Sequence, residues 1–193
     1  MKRKMNSRKK KDWPDIKRVH SIIFDFDGVF TDNKVYVAQD GIEFVRCDRA
    51  DGLAIDFLRR YRDTNQSELD FFILSTERNP VVAARAHKLQ LACKQGVGNK
   101  LAFIVQYFKE RYPQHANPFA GLVYFGNDLN DLPIIVRAGF SVVPHDAHAR
   151  VKQAASAVLP QNGGEGFVRA AIEKLLGVKN MTLEAIHEFV SNR

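Results

Sequence analysis

Two aspartates, Asp25 and Asp27, stand on either side of one phenylalanine in the stretch "IIFDFDGVFTDN", residues 22–33. Residues two apart on an extended strand point the same way, so both carboxylates are expected side by side at a strand end. Like charges at that range repel, and burial raises the cost, so the pair calls for a cation or a shared proton. Other chemistry-bearing residues follow in order. Ser75 closes the apolar run "LDFFILS", Lys100 opens a helix after "KQGVGN", and Asn127, Asp128 and Asp131 follow "GLVYFG". Carboxylates, a hydroxyl and an ammonium converging on one rim suit a phosphate together with a hard divalent cation. Oxygen ligands favour Mg²⁺, while lysine, hydroxyl and backbone N–H groups favour phosphoryl oxygens.

Those positions gain meaning from the elements that carry them. "HSIIFDF" reads as a strand, and "NKVYVAQDGIEFVRC" alternates about Asp40-Gly41 as a β-hairpin. Helical spacing over "ADGLAIDFLRRYR" precedes the strand "LDFFILS" and a helix that Asn79 caps and Pro80 opens. A short strand near "LACKQG", helix "NKLAFIVQYFKERY", strand "GLVYFG", helix "DLPIIVRAG", strand "FSVV", helix "HARVKQAA", strand "SAVL" and one or two closing helices complete the chain. Strands alternating with helices predict an α/β fold, a doubly wound parallel sheet of Rossmann-like type covered on both faces, with the hairpin as its one insertion. In such sheets ligands bind beyond the carboxyl ends of the strands, where all the residues above fall.

Length and composition set the bounds. A chain of 193 residues suits one domain, and 45% hydrophobic with 26% charged residues is ordinary for a soluble protein. No apolar run approaches the roughly 18 residues of a membrane span, and no apolar segment precedes Ile22, so neither a membrane anchor nor a secretory signal is expected and the cytoplasm is the expected compartment. Cys47 and Cys93 lack metal-site spacing and read as reduced, semi-buried residues. The net charge of +7 is concentrated at the start: residues 1–18 hold nine Lys/Arg and two Asp/Glu, leaving twenty of each sign in the rest. Residues 1–15 are therefore expected to form a basic, disordered tail ahead of a single domain over 16–193, and a neutral body is not expected to bind nucleic acid.

The segments "DFDGVFTDN", "ILSTER", "GNK" and "GNDLND" resemble, in order and loose spacing, the four motifs of the haloacid dehalogenase superfamily. A hairpin directly after the first motif and the lack of any stretch long enough for a cap domain are similar to its small sugar-acid phosphatases. These include the 3-deoxy-octulosonate 8-phosphate phosphatases and the nonulosonate 9-phosphate phosphatases related to the domain fused to some CMP-sialate synthetases. The resemblance implies that Asp25 attacks phosphorus to give an aspartyl-phosphate and that Asp27 is the general acid and base. It further implies that Ser75 and Lys100 bind the phosphoryl oxygens, that Asp131 orients the site, and that Asp25, the Asp27 carbonyl, Asn127 and Asp128 hold Mg²⁺. It also implies a homotetramer in which a neighbour covers the site. One departure is Asn127, where the superfamily usually has an aspartate; an amide oxygen ligates without charge, which moves the main metal contact to Asp128.

For the substrate, Thr76 and Glu77 follow Ser75, and Arg85 and Lys88 lie eight and eleven residues beyond Glu77 on what reads as one helix. A glutamate there, with basic residues following, resembles the nonulosonate 9-phosphate branch; an arginine is usual in the octulosonate branch. Arginine suits a substrate carboxylate. The expected reaction is thus hydrolysis of a nonulosonate 9-phosphate, with 3-deoxy-D-manno-octulosonate 8-phosphate as the alternative and a catalytically quiet module of sialate activation as the reading from another class. Gly163, Gly164 and Gly166, similar to the branch's glycine-rich C-terminal segment, read either as a tail reaching a neighbour's site or as a loop before a helix.

Overall fold

The computed structural model describes residues 11–191. Strand β1 (Ser21–Phe24) leads into a hairpin of β2 (Thr31–Val37) and β3 (Glu43–Cys47), and then helix α1 (Ala50–Thr64). The chain continues through β4 (Asp70–Leu74), α2 (Pro80–Lys88), β5 (Ala92–Lys94), α3 (Lys100–Arg111), β6 (Leu122–Phe125), α4 (Leu132–Ile135), β7 (Phe140–Val143), α5 (Ala149–Ala154) and β8 (Ala157–Val158). It closes with α6 (Phe167–Leu176) and α7 (Leu183–Ser191). Six strands form one parallel sheet in the order β5-β4-β1-β6-β7-β8, and β2 and β3 pair antiparallel as a sheet of their own. This is the doubly wound sheet that the alternation predicts, with no cap domain among the described residues.

Alternation along β1 explains the two layers. Ile22 and Phe24 face a core shared with α1, α2 and α6, while Ile23 faces the core of α3, α4 and α5. A strand buried on both faces must be apolar throughout, as "SIIF" nearly is, and each fully buried Ile or Phe contributes roughly 1.5–3 kcal/mol of transfer free energy. Helix starts follow local chemistry: the Asn79 side chain accepts the Val81 N–H with Pro80 in the first turn, and Asn99 accepts the Ala102 N–H at the start of α3. Because β1 lies between β4 and β6, the chain leaves it in opposite directions, which opens a crevice at its carboxyl end.

Residues 1–10 of the expected tail lie outside the described residues. Of its last five, Lys11 Nζ donates to the Gly139 carbonyl at 2.8 Å and Trp13 packs on Phe140 with ring centroids 5.0 Å apart. Among the described residues no helix is long and apolar enough to cross a membrane.

Candidate active site

Strand β1 ends at Phe24, so the two aspartates lie in a tight coil beyond it and not on an extended strand as alternation predicts. The sheet still holds Asp25, whose N–H donates to the Phe125 carbonyl at 2.8 Å; the N–H groups of Val29 and Phe30 then both donate to the Phe26 carbonyl. Gly28 permits the coil with φ +72°, and a Cβ there would come within 1.9 Å of Asn127 Nδ2. Phe26 is fully buried, and both flanking carboxylates line one cavity of about 310 Å³ with Asn33, Thr76, Asn127, Asp128, Leu129 and Asn130.

Behind that cavity lies a buried polar cluster. Asp25 Oδ1 accepts the Phe26 N–H and lies 2.7 Å from Lys100 Nζ. The same ammonium donates to Asp131 Oδ1 at 2.8 Å, an oxygen that also accepts the Tyr124 hydroxyl at 2.6 Å. Asp131 Oδ2 accepts the N–H groups of Asn127 at 2.9 Å and Asp128 at 3.4 Å, which fixes the loop after β6. One ammonium therefore serves two buried carboxylates. Burial and the neighbouring Asp131 push the Asp25 carboxyl up to about 8 against the pull of Lys100. Burial opposes the charge of Lys100, but Asp25 and Asp131 outweigh it and raise its pKa. Asp27 is also raised, by burial and then by the Glu77 carboxylate, with the Thr31 hydroxyl its hydrogen-bond donor at 3.5 Å.

The expected site residues separate into four groups. Asp25, Asp27, Thr76, Asn127 and Asp128 surround the cavity, while Ser75 and Lys100, 1% and 3% exposed, lie behind its lining with Asp131. Ser75 Oγ accepts the Glu77 N–H at 3.0 Å. Glu77 lines an adjoining cavity, its Oε1 accepting the N–H groups of Arg78 and Asn79. Arg85 and Lys88 are not brought to either cavity. Arg85 donates to the Asp48 carbonyl at 2.8 Å, beside β3 and α1, and Lys88 lines a separate surface depression with His87 and Leu91. On α2 Arg85 is half-buried and Lys88 exposed.

The glycine-rich segment packs on its own chain. The Gly164 N–H donates to the Val29 carbonyl at 3.1 Å, and a Cβ at Gly164, where φ is +64°, would lie 2.4 Å from the Thr31 carbonyl carbon. Within this chain it therefore supports the coil that carries Asp27. Tyr124, Asn33 and Glu43 escape the sequence reading. For Tyr124 a signal exists, since a hydroxyl inside a fully buried strand needs a partner; for Asn33 and Glu43 the hairpin's placement decides.

The donor set fits a hard divalent cation. Asp25 Oδ2 and the Asn127 side chain, 8% exposed, have no hydrogen bond among the described residues, and Asp128 adds a second carboxylate on the same cavity. No three His, Cys, Asp or Glu side chains converge as a metal cluster among the described residues, so neutral oxygens would have to complete the set, as would suit Mg²⁺. A raised Asp25 pKa means that the cation displaces a proton. Near pH 7, Mg²⁺ binding is expected to release close to one proton, with Kd tightening about tenfold per pH unit until about pH 8. Calorimetry in two buffers of different ionisation enthalpy checks this; no proton release overturns it. In the metal-free protein the same raised pKa stabilises at low pH, and that stability is lost as pH rises through about 8.

Residues 114–170 match the family model of the haloacid dehalogenase-like hydrolases. The chain is 30% identical to the 3-deoxy-D-manno-octulosonate 8-phosphate phosphatase of Yersinia pestis over 159 residues, 82% of this chain and 80% of that one. Among solved structures, a HAD family hydrolase from Streptomyces avermitilis is 37% identical with a TM-score of 0.79, covering 90% of this chain and 95% of that one. The 3-deoxy-D-manno-octulosonate 8-phosphate phosphatase of Moraxella catarrhalis, solved with magnesium, phosphate and its sugar acid, shares the fold at 24% identity and a TM-score of 0.77, covering 91% and 95%.

Proposed function

Because the chain belongs to the haloacid dehalogenase superfamily, in its capless sugar-acid phosphatase branch, we propose that it hydrolyses the phosphate monoester of a phosphorylated sugar acid with Mg²⁺. The observation that carries the reading is the buried Asp25–Lys100–Asp131 cluster, which leaves one Asp25 oxygen free beside a half-buried Asp27 of raised pKa. The Asp25 carboxylate attacks phosphorus through one oxygen, the bond from phosphorus to the sugar oxygen breaks, and Asp27 delivers its proton to the departing alkoxide. Water then attacks phosphorus, passes a proton to Asp27, and releases phosphate with the Asp25 carboxylate restored. Ser75, Thr76 and Lys100 bind the phosphoryl oxygens as charge spreads over them. Mg²⁺ would be held by Asp25, the Asp27 carbonyl, Asn127 and Asp128, and would supply charge neutralisation.

The relatives' names favour an eight-carbon acid carrying its phosphate on C8. Glu77 favours the second reading, a nine-carbon acid 9-phosphate, because it stands where the octulosonate branch usually has arginine and its carboxylate faces Asp27 closely enough to raise that residue's pKa. Phosphate release measured on both acids and on glucose 6-phosphate, with Mg²⁺, tests the proposal. At least one sugar acid should exceed the hexose phosphate by about tenfold or more in kcat/KM, and Glu77→Arg should shift the ratio of nine- to eight-carbon turnover down by about tenfold. Equal rates on all three substrates would refute sugar-acid selectivity. The homotetramer that the resemblance implies would cover the outer face of the hairpin, where Tyr36 and Phe44 are 65% and 57% exposed.

A further inference from the structure

The second cavity, about 240 Å³, is lined by Asp27, Asn33, Val35, Glu43, Val45, Glu77, Asn79 and Val81. It meets the first at Asp27 and Asn33, so it adjoins the group that protonates the leaving oxygen. Glu43 reaches it from the hairpin: Val37 pairs with Glu43 and Val35 with Val45, and alternation puts Glu43 and Val45 on one face, toward α2. The Glu43 carboxylate is set in place by α2, because Asn79, whose Oδ1 caps the helix, donates Nδ2 to Glu43 Oε2 at 2.7 Å. Glu43 Oε1 has no hydrogen bond among the described residues.

We propose that Glu43 is a specificity-determining residue that accepts hydroxyl groups on the carbons next to the phosphate ester. The inference rests on the phosphatase reading and deepens it. A ligand whose phosphorus lies at Asp25 and whose ester oxygen lies at Asp27 must run its next carbons into this second cavity. Two carboxylates, Glu43 and Glu77, and the side-chain amides of Asn33 and Asn79 offer acceptors to hydroxyls, while Val35, Val45 and Val81 cover the carbon chain. The same carboxylates repel an anion. The substrate's own carboxylate is therefore excluded from the cavity and lies at the far end of the molecule, as it does in a long-chain sugar acid phosphorylated on its terminal carbon. Phosphates that carry a carboxylate beside the ester are disfavoured.

The test compares the wild type with Glu43→Val and Glu43→Gln on the better sugar-acid phosphate and on acetyl phosphate, whose leaving group has no hydroxyl. In Glu43→Val, KM for the sugar-acid phosphate should rise about tenfold, the value of one lost hydrogen bond to a charged group, and the ratio of kcat/KM between the two substrates should fall by a similar factor. Glu43→Gln keeps an acceptor oxygen and should recover part of that loss, and it should gain on 3-phosphoglycerate relative to the sugar acid because the repelling charge is gone. A KM within twofold of wild type in both variants, or an equal loss on both substrates, overturns the role of Glu43. Absence of phosphate release by the wild type from every substrate overturns the phosphatase reading instead.

Discussion

Asp25→Asn is expected to lower Mg²⁺-dependent phosphate release by at least ~10³-fold while the protein stays folded. The amide has nearly the carboxylate's shape but cannot displace the sugar alkoxide from phosphorus, so the covalent route closes. Stability should move the other way from the usual loss of an ion pair. Above about pH 8, where Asp25 is ionised, the wild-type cluster has two carboxylates, Asp25 and Asp131, sharing the Lys100 ammonium, and the variant has one of each sign. Without Mg²⁺ and above about pH 8 the melting temperature of the variant should equal or exceed that of the wild type, and the rise that Mg²⁺ produces in the wild type should shrink, because a charged ligand is missing. A timed phosphate assay with thermal melts in the presence and absence of Mg²⁺ reads both effects. Release above one tenth of the wild-type rate would remove Asp25 from the role of nucleophile.

Lys100→Met has the opposite signature. It strands two buried carboxylates with no cation, a loss of about 3–5 kcal/mol when both are ionised, and it removes a phosphoryl ligand as well. The Asp25 carboxyl is already raised to about 8 by burial and Asp131, and losing Lys100 raises it further. Protonation then relieves the repulsion, so the destabilisation should be smaller at pH 6 than at pH 8. Urea unfolding at the two pH values, without metal, measures the difference. A variant as stable as the wild type at pH 8 would mean that the Lys100 bridges contribute little to the fold, and the buried cluster would need another account. Phosphate release should fall together with stability in this variant, whereas in Asp25→Asn the two separate, and that contrast distinguishes the attacking group from the one that holds it.

Which residues could do chemistry, and on which strand ends they would fall, is legible in the sequence because burial on both faces forces "SIIF", "DFFIL" and "LVYF" to be apolar, and the polar residue that ends each run stands out. Helix starts at Asn79-Pro80 and Asn99 are equally legible, since capping is a local interaction. The pairing of Asp25 with Asp27 is reached by the wrong route. Alternation places them together, but a coil closed by two bonds to the Phe26 carbonyl does so instead, because the sheet ladder stops one residue past Phe24.

The sequence by itself determined the order of the elements, the doubly wound class and the inventory of carboxylates, hydroxyl and ammonium at one rim. Only the tertiary structure decided who meets whom. The strand order brings β6 beside β1, so Tyr124 and Asp131 join Lys100 behind Asp25, and the fold of the hairpin over α2 brings Glu43 to Asn79 and the second cavity. It also turned Arg85 to the Asp48 carbonyl and away from the cavities. The physical reason is one of range. Periodicity and capping act within a few residues and settle which face of its own element a side chain occupies, whereas the partner it finds across that face depends on crossovers and packing between segments far apart in the chain.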